Sequence, residues 1–344
     1  MKLVSINSLF LIRNILLKNL YKLNLFVTYR CNSKCKICNI WKYTNFNDIE
    51  LSGDEIVKIF KNLRGRIRWL NLTGGEPFLR DDLYEIVFAA IRIMKPLFIN
   101  IPTNGLLPQQ VENLVRKIER HCVKNTNIVI SVSVDDIYER DDNLRGVSGA
   151  YKMAIETFNI LSSSKIIEAY FQVNISGYNI GHIEEVIEEL LRHKKIIITF
   201  AHKMDLFRNF DTTMTIENFK SEAIKFIDKY ISRFWRINGF DSVVFLMYLK
   251  GMRYFLLNGK LPVRCTAGIS TLTIDPFGNV LPCPYKIKSV LNVRDCEYNP
   301  LKYYTGAVKK RVLLENYDCN LCWQNCEAIP SILLHPIKSL SRLL

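Results

Sequence analysis

Strand-like and helical segments alternate along residues 23–201, and this alternation constrains the fold more than any other feature of the sequence. The strand segments are rich in β-branched and aromatic residues, whereas the helical segments carry apolar residues at helical spacing. Strands joined by helices pair in parallel through right-handed crossovers, so we expect an α/β sheet that is doubly wound or curled into a barrel. The predicted strands are 23–28, 67–73, 97–102, 127–134, 167–176 and 195–201, and the predicted helices are 54–63, 82–94, 108–120, 151–161 and 182–192.

Chemically distinctive residues directly follow the first three predicted strands. Cys31, Cys35 and Cys38 follow the first strand, Gly74-Gly75-Glu76 follows the second, and Thr103-Asn104 follows the third. The carboxyl ends of parallel strands lie at one edge of the sheet, and the loops at that edge carry the chemistry of such folds. The sequence therefore predicts a single site built from these three loops.

The first group of cysteines has C-x3-C-x2-C spacing on one short loop. Three thiolates at this spacing can hold three irons of a four-iron cluster and leave the fourth iron open to a substrate or cosubstrate. A structural zinc site would need a fourth ligand nearby, but no His or Cys follows until His121. All ten cysteines except Cys122 fall into two groups with spacings typical of metal sites, which favours a reducing compartment over a disulfide framework.

At this cysteine loop the sequence resembles the radical SAM superfamily. The resemblance covers roughly residues 22–205 and implies a partial (β/α)6 TIM-like barrel. It further implies that Cys31, Cys35 and Cys38 are catalytic and hold a [4Fe-4S] cluster. Such a cluster binds S-adenosylmethionine (SAM) and cleaves it reductively to a 5'-deoxyadenosyl radical. An electron donor such as ferredoxin or flavodoxin is the implied partner.

The loops after the second and third strands match positions that hold SAM in that superfamily. Paired glycines let the backbone approach a ligand closely. The segment Gly74-Gly75-Glu76 resembles the family's GGE motif, in which the glutamate meets the amino group of SAM. The residues predicted to bind the cosubstrate in these loops are Gly74, Gly75, Glu76, Thr103 and Asn104.

Polar residues alternate with apolar ones along the fourth and fifth predicted strands. The alternation places Ser131, Ser133 and Asp135 on one face of the fourth strand, and Gln172 and Asn174 on one face of the fifth. Because helices cover the outside of a barrel, we expect these faces to line the interior, where a ligand or water satisfies them. By resemblance, Ser131 and Ser133 approach the ribose or methionine part of SAM, and Asp135 and Asn174 are further predicted cosubstrate contacts.

A D-x-x-R-G-x-x-G segment begins at Asp142 and resembles a segment of the superfamily branch that carries additional clusters. In that branch the arginine lies near the SAM carboxylate, a contact that the guanidinium fork favours. Arg145 is therefore a predicted SAM-binding residue. The alternative is an ordinary surface ion pair between Asp142 and Arg145.

A second cysteine group lies near the C-terminal end of the chain. Two of its cysteines flank a predicted β-hairpin in a C-x12-G-x4-C element, and two more follow at C-x2-C spacing. This arrangement resembles the auxiliary-cluster extension called SPASM or, in its shorter single-cluster form, twitch. Four such thiolates hold a second [4Fe-4S] cluster or zinc, and spacing does not separate these two alternatives. The predicted ligands are Cys265, Cys283, Cys319 and Cys322, while Cys296 and Cys326 are left without a role.

The predicted organisation has five parts. A basic amphipathic N-terminal helix (1–21) precedes the barrel (22–205), and bridging helices (206–258) lead to the cysteine-rich module (259–328) and an amphipathic tail (329–344). The N-terminal helix either lies on an anionic membrane or closes one end of the barrel, and the tail either docks on lipid or packs on the domain. We expect neither a signal peptide nor a membrane span.

Net charge and composition leave several partners open. The net charge of +14 predicts attraction to an anionic partner, such as a phosphorylated substrate or a membrane surface. Specific nucleic-acid binding is not expected. The expected location is the cytoplasm, with peripheral attachment to the inner face of the membrane if the terminal helices bind lipid.

Three functions remain open. The first is hydrogen abstraction from a carbohydrate, a polyol or a membrane lipid headgroup, in which the second cluster assists oxidation or bond formation. The alternative is maturation of a ribosomally made peptide, although no recognisable peptide-recognition domain precedes residue 22. The third is a non-catalytic iron-sulfur electron carrier, which would need neither the open cluster loop nor the SAM face.

Overall fold

The computed structural model describes residues 20–43, 49–121, 125–193, 196–202, 212–234, 240–286, 288–302 and 319–343. Apart from its last two positions, the N-terminal helix predicted for residues 1–21 lies outside this part of the chain. The described strands form one sheet. They are β1 (Lys22–Thr28), β2 (Trp69–Gly74), β3 (Phe98–Thr103), β4 (Asn127–Ser133), β5 (Ile167–Ile175), β6 (Ile196–Phe200), β7 (Thr271–Ile274), β8 (Asn279–Leu281) and β9 (Leu291–Asn292).

The first six strands pair in parallel in chain order, as the alternating pattern predicts. The sheet order is β6-β5-β4-β3-β2-β1-β7-β8-β9, so β6 and β9 are its outer strands. Strand β1 lies between β2 and β7, with Leu23 opposite Leu70 on one side and Leu272 on the other. Because the outer strands do not pair with each other, the sheet stays open, and the prediction of a partial (β/α)6 barrel is confirmed.

Helices connect the barrel strands and cover their outer face. The apolar residues that alternate along β4, Ile128, Ile130 and Val132, are buried in the main core together with Phe60 and Phe158 from the covering helices. The polar residues of the same strands consequently face the barrel interior. The described α-helices are α1 (Gly53–Asn62), α2 (Leu83–Ala89), α3 (Pro108–Arg120), α4 (Glu139–Arg145), α5 (Ala150–Ser163), α6 (Ile183–Leu191), α7 (Lys220–Phe234), α8 (Phe240–Asn258), α9 (Asn325–Leu334) and α10 (Pro336–Leu343).

The predicted hairpin of the cysteine-rich module is formed by β7 and β8. In its turn, the Asp275 carboxylate accepts hydrogen bonds from the backbone N–H groups of Phe277 at 2.9 Å and Asn279 at 2.8 Å. The sequence places this hairpin in a module separate from the barrel. In the structure β7 instead pairs in parallel with β1, so the hairpin continues the barrel sheet.

The C-terminal tail packs on the domain, which is the second of its two predicted arrangements. Helices α9 and α10 both lie against α8. Ile332, Leu334 and Leu343 are buried, whereas Ile337 is 82% exposed. Most of the apolar side chains that the structure describes in the tail are therefore buried or half-buried. Among the described residues, no helix has the length and hydrophobicity needed to cross a membrane.

Glu55 joins the first barrel helix to the region after the hairpin. Its carboxylate accepts a hydrogen bond from Ser52 N at 2.9 Å, which completes a capping box. It also receives Arg294 Nε at 2.8 Å and Nη2 at 3.1 Å, and the Tyr298 hydroxyl at 2.9 Å. The Arg294 guanidinium and these hydrogen bonds lower the pKa of Glu55 to about 2, despite its burial.

We expect Glu55→Gln to lower the free energy of unfolding by about 1 to 3 kcal/mol at pH 7, after allowance for solvent screening of the partly exposed Arg294. Because the pKa of Glu55 is depressed in the folded state, its contribution is present above about pH 4.5 and is lost as the pH falls toward 2. The difference in the free energy of unfolding between wild type and Glu55→Gln, measured by urea unfolding, should therefore become smaller as the pH is lowered from 7 to 3.

The matched control for this prediction is Glu297→Gln. Glu297 pairs with Lys302, but its side chain is 83% exposed, so its removal should leave the urea midpoint essentially unchanged. A difference between wild type and Glu55→Gln that does not depend on pH would contradict the assigned ion pair.

Candidate active site

The loop after β1 carries three half-buried cysteines, Cys31, Cys35 and Cys38, at the carboxyl edge of the sheet. Burial raises the pKa of Cys31 to about 11, although hydrogen bonds to its sulfur from Ser33 N at 3.5 Å and Asn104 Nδ2 at 3.7 Å oppose this effect. The Ser33 hydroxyl lies 3.0 Å from Cys35 Sγ. The sulfurs of Cys31 and Cys35 thus have polar groups beside them. The loop also packs on an apolar cluster made of Phe26, Tyr29 and Ile40.

The C-terminal end of α4 fixes the shape of this loop. The carbonyl oxygen of Arg145 accepts hydrogen bonds from Ser33 Oγ at 3.0 Å and from Lys34 N at 2.9 Å. The next residue, Gly146, has a φ of +66°, and a Cβ there would lie 2.9 Å from the carbonyl oxygen of Lys34. Glycine is needed here both for the left-handed backbone and for the close approach of the two segments.

Gly74 and Gly75 have a role within the protein that the sequence does not suggest. The expectation is that they let backbone approach a ligand. In the structure, a Cβ on Gly74 would lie 2.2 Å from Thr28 O, and a Cβ on Gly75 would lie 2.2 Å from Arg30 O. The backbone that passes so close is that of the protein's own cysteine loop, which Gly75 N also holds through a 2.8 Å hydrogen bond to Thr28 O.

Glu76 is fully buried behind this loop and does not line the cavity beside it. Its carboxylate accepts hydrogen bonds from Phe78 N at 3.1 Å, Thr103 Oγ1 at 2.9 Å and Asn104 N at 2.7 Å. Burial raises the pKa of Glu76 to about 7, and these three donors counteract the rise. In this arrangement Glu76 joins the loop after β2 to the loop after β3.

Arg145 is buried and points into the site, so the alternative of a surface pair with Asp142 is wrong. Its Nη2 lies 3.0 Å from Asp135 Oδ2, its Nε lies 3.6 Å from Asp141 Oδ1, and its Nη1 lies 3.8 Å from Cys35 Sγ. Asp142 instead accepts hydrogen bonds from backbone N–H groups at the start of α5. Burial raises the pKa of Asp141 to about 6, against the attraction of the nearby Arg145.

These loops enclose a cavity of about 280 Å³. Eleven predicted site residues line it, and two do not, because Glu76 lies behind the loop and Ser131 lines a deeper cavity in the barrel. The backbone N–H of Asn174 donates a 2.8 Å hydrogen bond to Asp135, which holds two of the lining residues together. The eleven are Cys31, Cys35, Cys38, Gly74, Gly75, Thr103, Asn104, Ser133, Asp135, Arg145 and Asn174.

Sequence reasoning misses several residues that line the same cavity. Asn71 and Thr73 alternate with apolar residues along β2, so the pattern that identifies the polar faces of the fourth and fifth strands would also have found them. Tyr285 and Cys326 come from the cysteine-rich module and line the cavity because the module continues the barrel sheet. Nothing local in the sequence signals that second contribution.

The four predicted ligands of the second site line one cavity of about 570 Å³, namely Cys265, Cys283, Cys319 and Cys322. Burial raises the pKa of Cys283 to about 12, although Tyr285 N donates to its sulfur at 3.4 Å. Burial likewise raises the pKa of Cys265 and Cys322. In the part of the chain that is described, no group of three His, Cys, Asp or Glu side chains is arranged to hold a single metal ion.

The two cysteines without a predicted role lie elsewhere. Cys296 is buried in the main core, with its sulfur 3.3 Å from Val293 O. Cys326 lines the barrel cavity, and its sulfur lies 3.3 Å from the Tyr285 hydroxyl. Neither lines the cavity of the second cysteine group.

The donor set of the first cavity fits a [4Fe-4S] cluster with SAM. The three thiols of one loop line it together with that of Cys326, and N–H donors of Ser33, Asn104 and Arg145 lie beside the sulfurs of Cys31 and Cys35. Hydrogen bonds to sulfur are one of the means by which a protein stabilises such clusters. The buried Arg145 and Asp135 offer one charge of each sign, which suits the zwitterionic end of an amino acid.

Comparison with known proteins gives the same identification. Residues 25–190 match the family model described as Radical SAM superfamily. The mycofactocin maturase MftC of Mycobacterium ulcerans is 25% identical over 263 residues, which cover 76% of this chain and 67% of that protein. The matched region spans 63% of the MftC of Mycolicibacterium smegmatis. A probable GTP 3',8-cyclase of Methanocaldococcus jannaschii is 25% identical over 281 residues, covering 80% of this chain and 89% of that protein.

Solved structures with the same fold include peptide complexes. The structure described as native anSMEcpe with bound AdoMet and Cp18Cys peptide has a TM-score of 0.59 at 15% identity and covers 88% of both chains. SuiB of Streptococcus suis bound to the precursor peptide SuiA has a TM-score of 0.54 at 15% identity and covers 85% of this chain and 68% of that one. Residues 25–190 belong to the radical SAM superfamily, and the chain is an enzyme that uses a [4Fe-4S] cluster and SAM.

Proposed function

We propose that this enzyme matures a peptide by removing hydrogen from one of its carbon atoms. The observation that carries the proposal is that the match to the mycofactocin maturases extends over 263 residues, well beyond the 25–190 domain. The similarity of fold to anSMEcpe and SuiB, both determined with peptides, supports the same substrate class. A carbohydrate, polyol or lipid headgroup, the first of the functions that the sequence leaves open, has less support, because the solved structures cited above contain peptides. A lipid has less support also because most of the described apolar side chains of the tail are buried or half-buried.

In this proposal Cys31, Cys35 and Cys38 hold the cluster, and the polar residues around the cavity hold SAM. When bound, the cluster and SAM supply reductive cleavage of SAM and hydrogen abstraction from a substrate carbon. Arg145 is placed to bind the SAM carboxylate while Asp135 keeps it oriented. The protein's own contribution is to position the reacting carbon and to exclude water, which for radical chemistry matters more than acid or base catalysis.

We further propose that Cys265, Cys283, Cys319 and Cys322 hold an auxiliary [4Fe-4S] cluster. The four thiols line one cavity, and Tyr285 lines both this cavity and the first one. Tyr285 would then be shared by the two sites, and an auxiliary cluster held by these thiols could accept an electron from a substrate radical. Zinc is the alternative occupant, and metal analysis separates the two.

The substrate class is testable before the substrate itself is identified. The organism that makes the protein is grown in deuterated medium, and its extract is divided into peptides, small molecules and lipids. Each fraction is incubated with the reconstituted enzyme, unlabelled SAM and dithionite, and deuterium in 5'-deoxyadenosine is measured by mass spectrometry. We expect deuterium transfer from the peptide fraction, and its loss after that fraction is digested with a protease.

Two controls complete this experiment. The Cys31→Ala/Cys35→Ala/Cys38→Ala variant should transfer no deuterium from any fraction. Deuterated GTP is added alone, because the chain spans 89% of a probable GTP 3',8-cyclase. Transfer from GTP, from the small-molecule fraction or from the lipid fraction, with none from peptides, would overturn the proposal.

A further inference from the structure

A third cavity, of about 270 Å³ and called the inner cavity below, lies in the amino half of the barrel. It is lined by the first residues of β1, β2 and β3, which are Lys22, Trp69 and Phe98, and by residues of α8 and α9. It adjoins the cavity beside the cysteine loop, so a ligand can extend from one into the other. The residues that line both cavities are Asn71, Thr73, Pro102, Gln172, Tyr285 and Cys326.

The walls of this inner cavity are largely aromatic and apolar. Trp69 and Phe98 pack edge to face with ring centroids 5.4 Å apart, and Tyr170, Phe245 and Leu333 complete the apolar lining. The rings and Leu333 favour a flat or branched hydrocarbon group, while amides and hydroxyls of Asn71, Asn100, Ser131, Gln172 and Asn325 line other parts of the cavity. The aromatic part of the wall thus indicates that the ligand carries an apolar group.

The polar groups beside the aromatic rings include hydrogen-bond donors. Lys22 is only 1% exposed, and its Nζ contacts the carbonyl oxygen of Cys326 and lies 4.5 Å above the Trp69 ring. Among the described residues, the Trp69 Nε1 and the Tyr21 hydroxyl are inaccessible to solvent and have no hydrogen-bond partner. An indole N–H can only donate, so it requires an acceptor from a ligand or a water molecule.

The charge balance favours an anionic acceptor. Lys22 and Arg68 both line the cavity, and no Asp or Glu does among the described residues. The carboxylate that pairs with Lys22 is that of Glu327, at 3.9 Å, beyond hydrogen-bond distance. Its oxygens already accept hydrogen bonds from Asn24 at 3.1 Å and Thr271 at 2.9 Å. Lys22 therefore retains donor capacity toward the cavity.

We propose that this inner cavity binds a carboxylate-bearing aromatic or branched apolar group of the substrate, with Lys22 and Trp69 Nε1 as its anchors. Because Lys22 Nζ contacts Cys326, which lines both cavities, the anchored carboxylate lies next to the reaction cavity. The proposal rests on the proposed peptide function for its source, which is the C-terminal α-carboxylate of a peptide or an acidic side chain within it. The chemistry recognised is the same in both cases.

Calorimetric binding of 3-phenylpropionate and 3-phenylpropionamide to the reconstituted full-length enzyme tests the charge requirement. The carboxylate should bind at least about tenfold more tightly than the amide, since charge-assisted hydrogen bonds are roughly twice as strong as neutral ones. Lys22→Met should bring the ratio close to one with little change for the amide. Trp69→Phe, which keeps an aromatic ring but lacks the N–H, should weaken the carboxylate severalfold.

Lys22→Met leaves Glu327 without its neighbouring cation, so Lys22→Met/Glu327→Gln serves as a second variant without either charge. The matched control is Lys152→Met on the exposed surface of α5, which should keep the wild-type ratio. Equal binding of the two probes by the wild type, or a ratio that both Lys22 variants preserve, would mean a water-filled structural cavity and overturn the proposal.

The source of the carboxylate is read from three peptides that differ only there: N-acetyl-Gly-Phe as the free acid, the same peptide as its C-terminal amide, and N-acetyl-Asp-Phe-amide. Tight binding of the first indicates a C-terminal carboxylate, and tight binding of the third indicates an acidic side chain. These measurements need no turnover. If the enzyme binds 3-phenylpropionate through Lys22 but takes no deuterium from peptides, the proposal for the inner cavity stands and the proposed peptide function is wrong.

Discussion

The Cys31→Ala/Cys35→Ala/Cys38→Ala variant is expected to hold about four irons where the wild type holds about eight, and to form no 5'-deoxyadenosine from SAM and dithionite. The three thiols line the cavity beside the cysteine loop and are the ligands proposed for its cluster, and the four thiols of the cavity in the cysteine-rich module are untouched by these substitutions. Iron and labile sulfide are counted after anaerobic reconstitution, and the nucleoside is measured by chromatography.

Cys296→Ala is the control for this measurement, because Cys296 lies in the apolar core and lines neither cysteine cavity. It should keep the full iron count. If the wild type instead holds about four irons together with zinc, and the triple variant holds none, the second site is a zinc site and the auxiliary cluster is excluded. Formation of 5'-deoxyadenosine by the triple variant would contradict the assigned ligands.

Gly75→Ala is expected to destabilise the protein by about 3 kcal/mol and to reduce iron loading strongly, because overpacking against backbone cannot be relieved by a change of rotamer. The added Cβ would lie 2.2 Å from Arg30 O and 2.8 Å from Tyr29 O, within the strand end that leads into the cysteine loop. For a domain of this size the melting temperature should fall by roughly 6 to 12 °C. Thermal unfolding monitored by circular dichroism measures this change.

Gly181→Ala gives a matched comparison, since a Cβ at Gly181 would meet no atom within 4 Å. That variant should melt within about 2 °C of the wild type. If Gly75→Ala melts like Gly181→Ala but binds SAM poorly, the glycine makes room for a ligand, as the sequence suggests, and not for the cysteine loop.

The parallel pairing of the first six strands and the grouping of the site loops could be predicted because both depend on local patterns. Period-2 alternation identifies the inner face of β4, and the carboxyl-edge rule brings Cys31, Thr103 and Arg145 to one cavity. Asn71 and Thr73 show the same alternation, so their position at the cavity could have been predicted in the same way. These features do not depend on contacts between distant segments.

The remaining features depend on contacts between segments that are far apart in the chain. The parallel pairing of β7 with β1 brings Tyr285 and Cys326 into the barrel, and no local pattern encodes it. The same limit applies to Gly75, whose neighbour is Arg30 and not a ligand. It applies also to Glu76, which accepts hydrogen bonds from the next strand's loop and does not line the cavity.

The central position of β1 has a consequence for synthesis on the ribosome. The strand is made early, but one of its two hydrogen-bonding edges is covered by β7, which is translated about 250 residues later. At roughly 5 to 20 residues per second, that edge stays unpaired for roughly 12 to 50 seconds after β1 emerges. An unpaired edge is a template for aggregation, and here it leads into the three cysteines. Slow translation, or truncation before residue 271, should thus lower the yield of soluble protein.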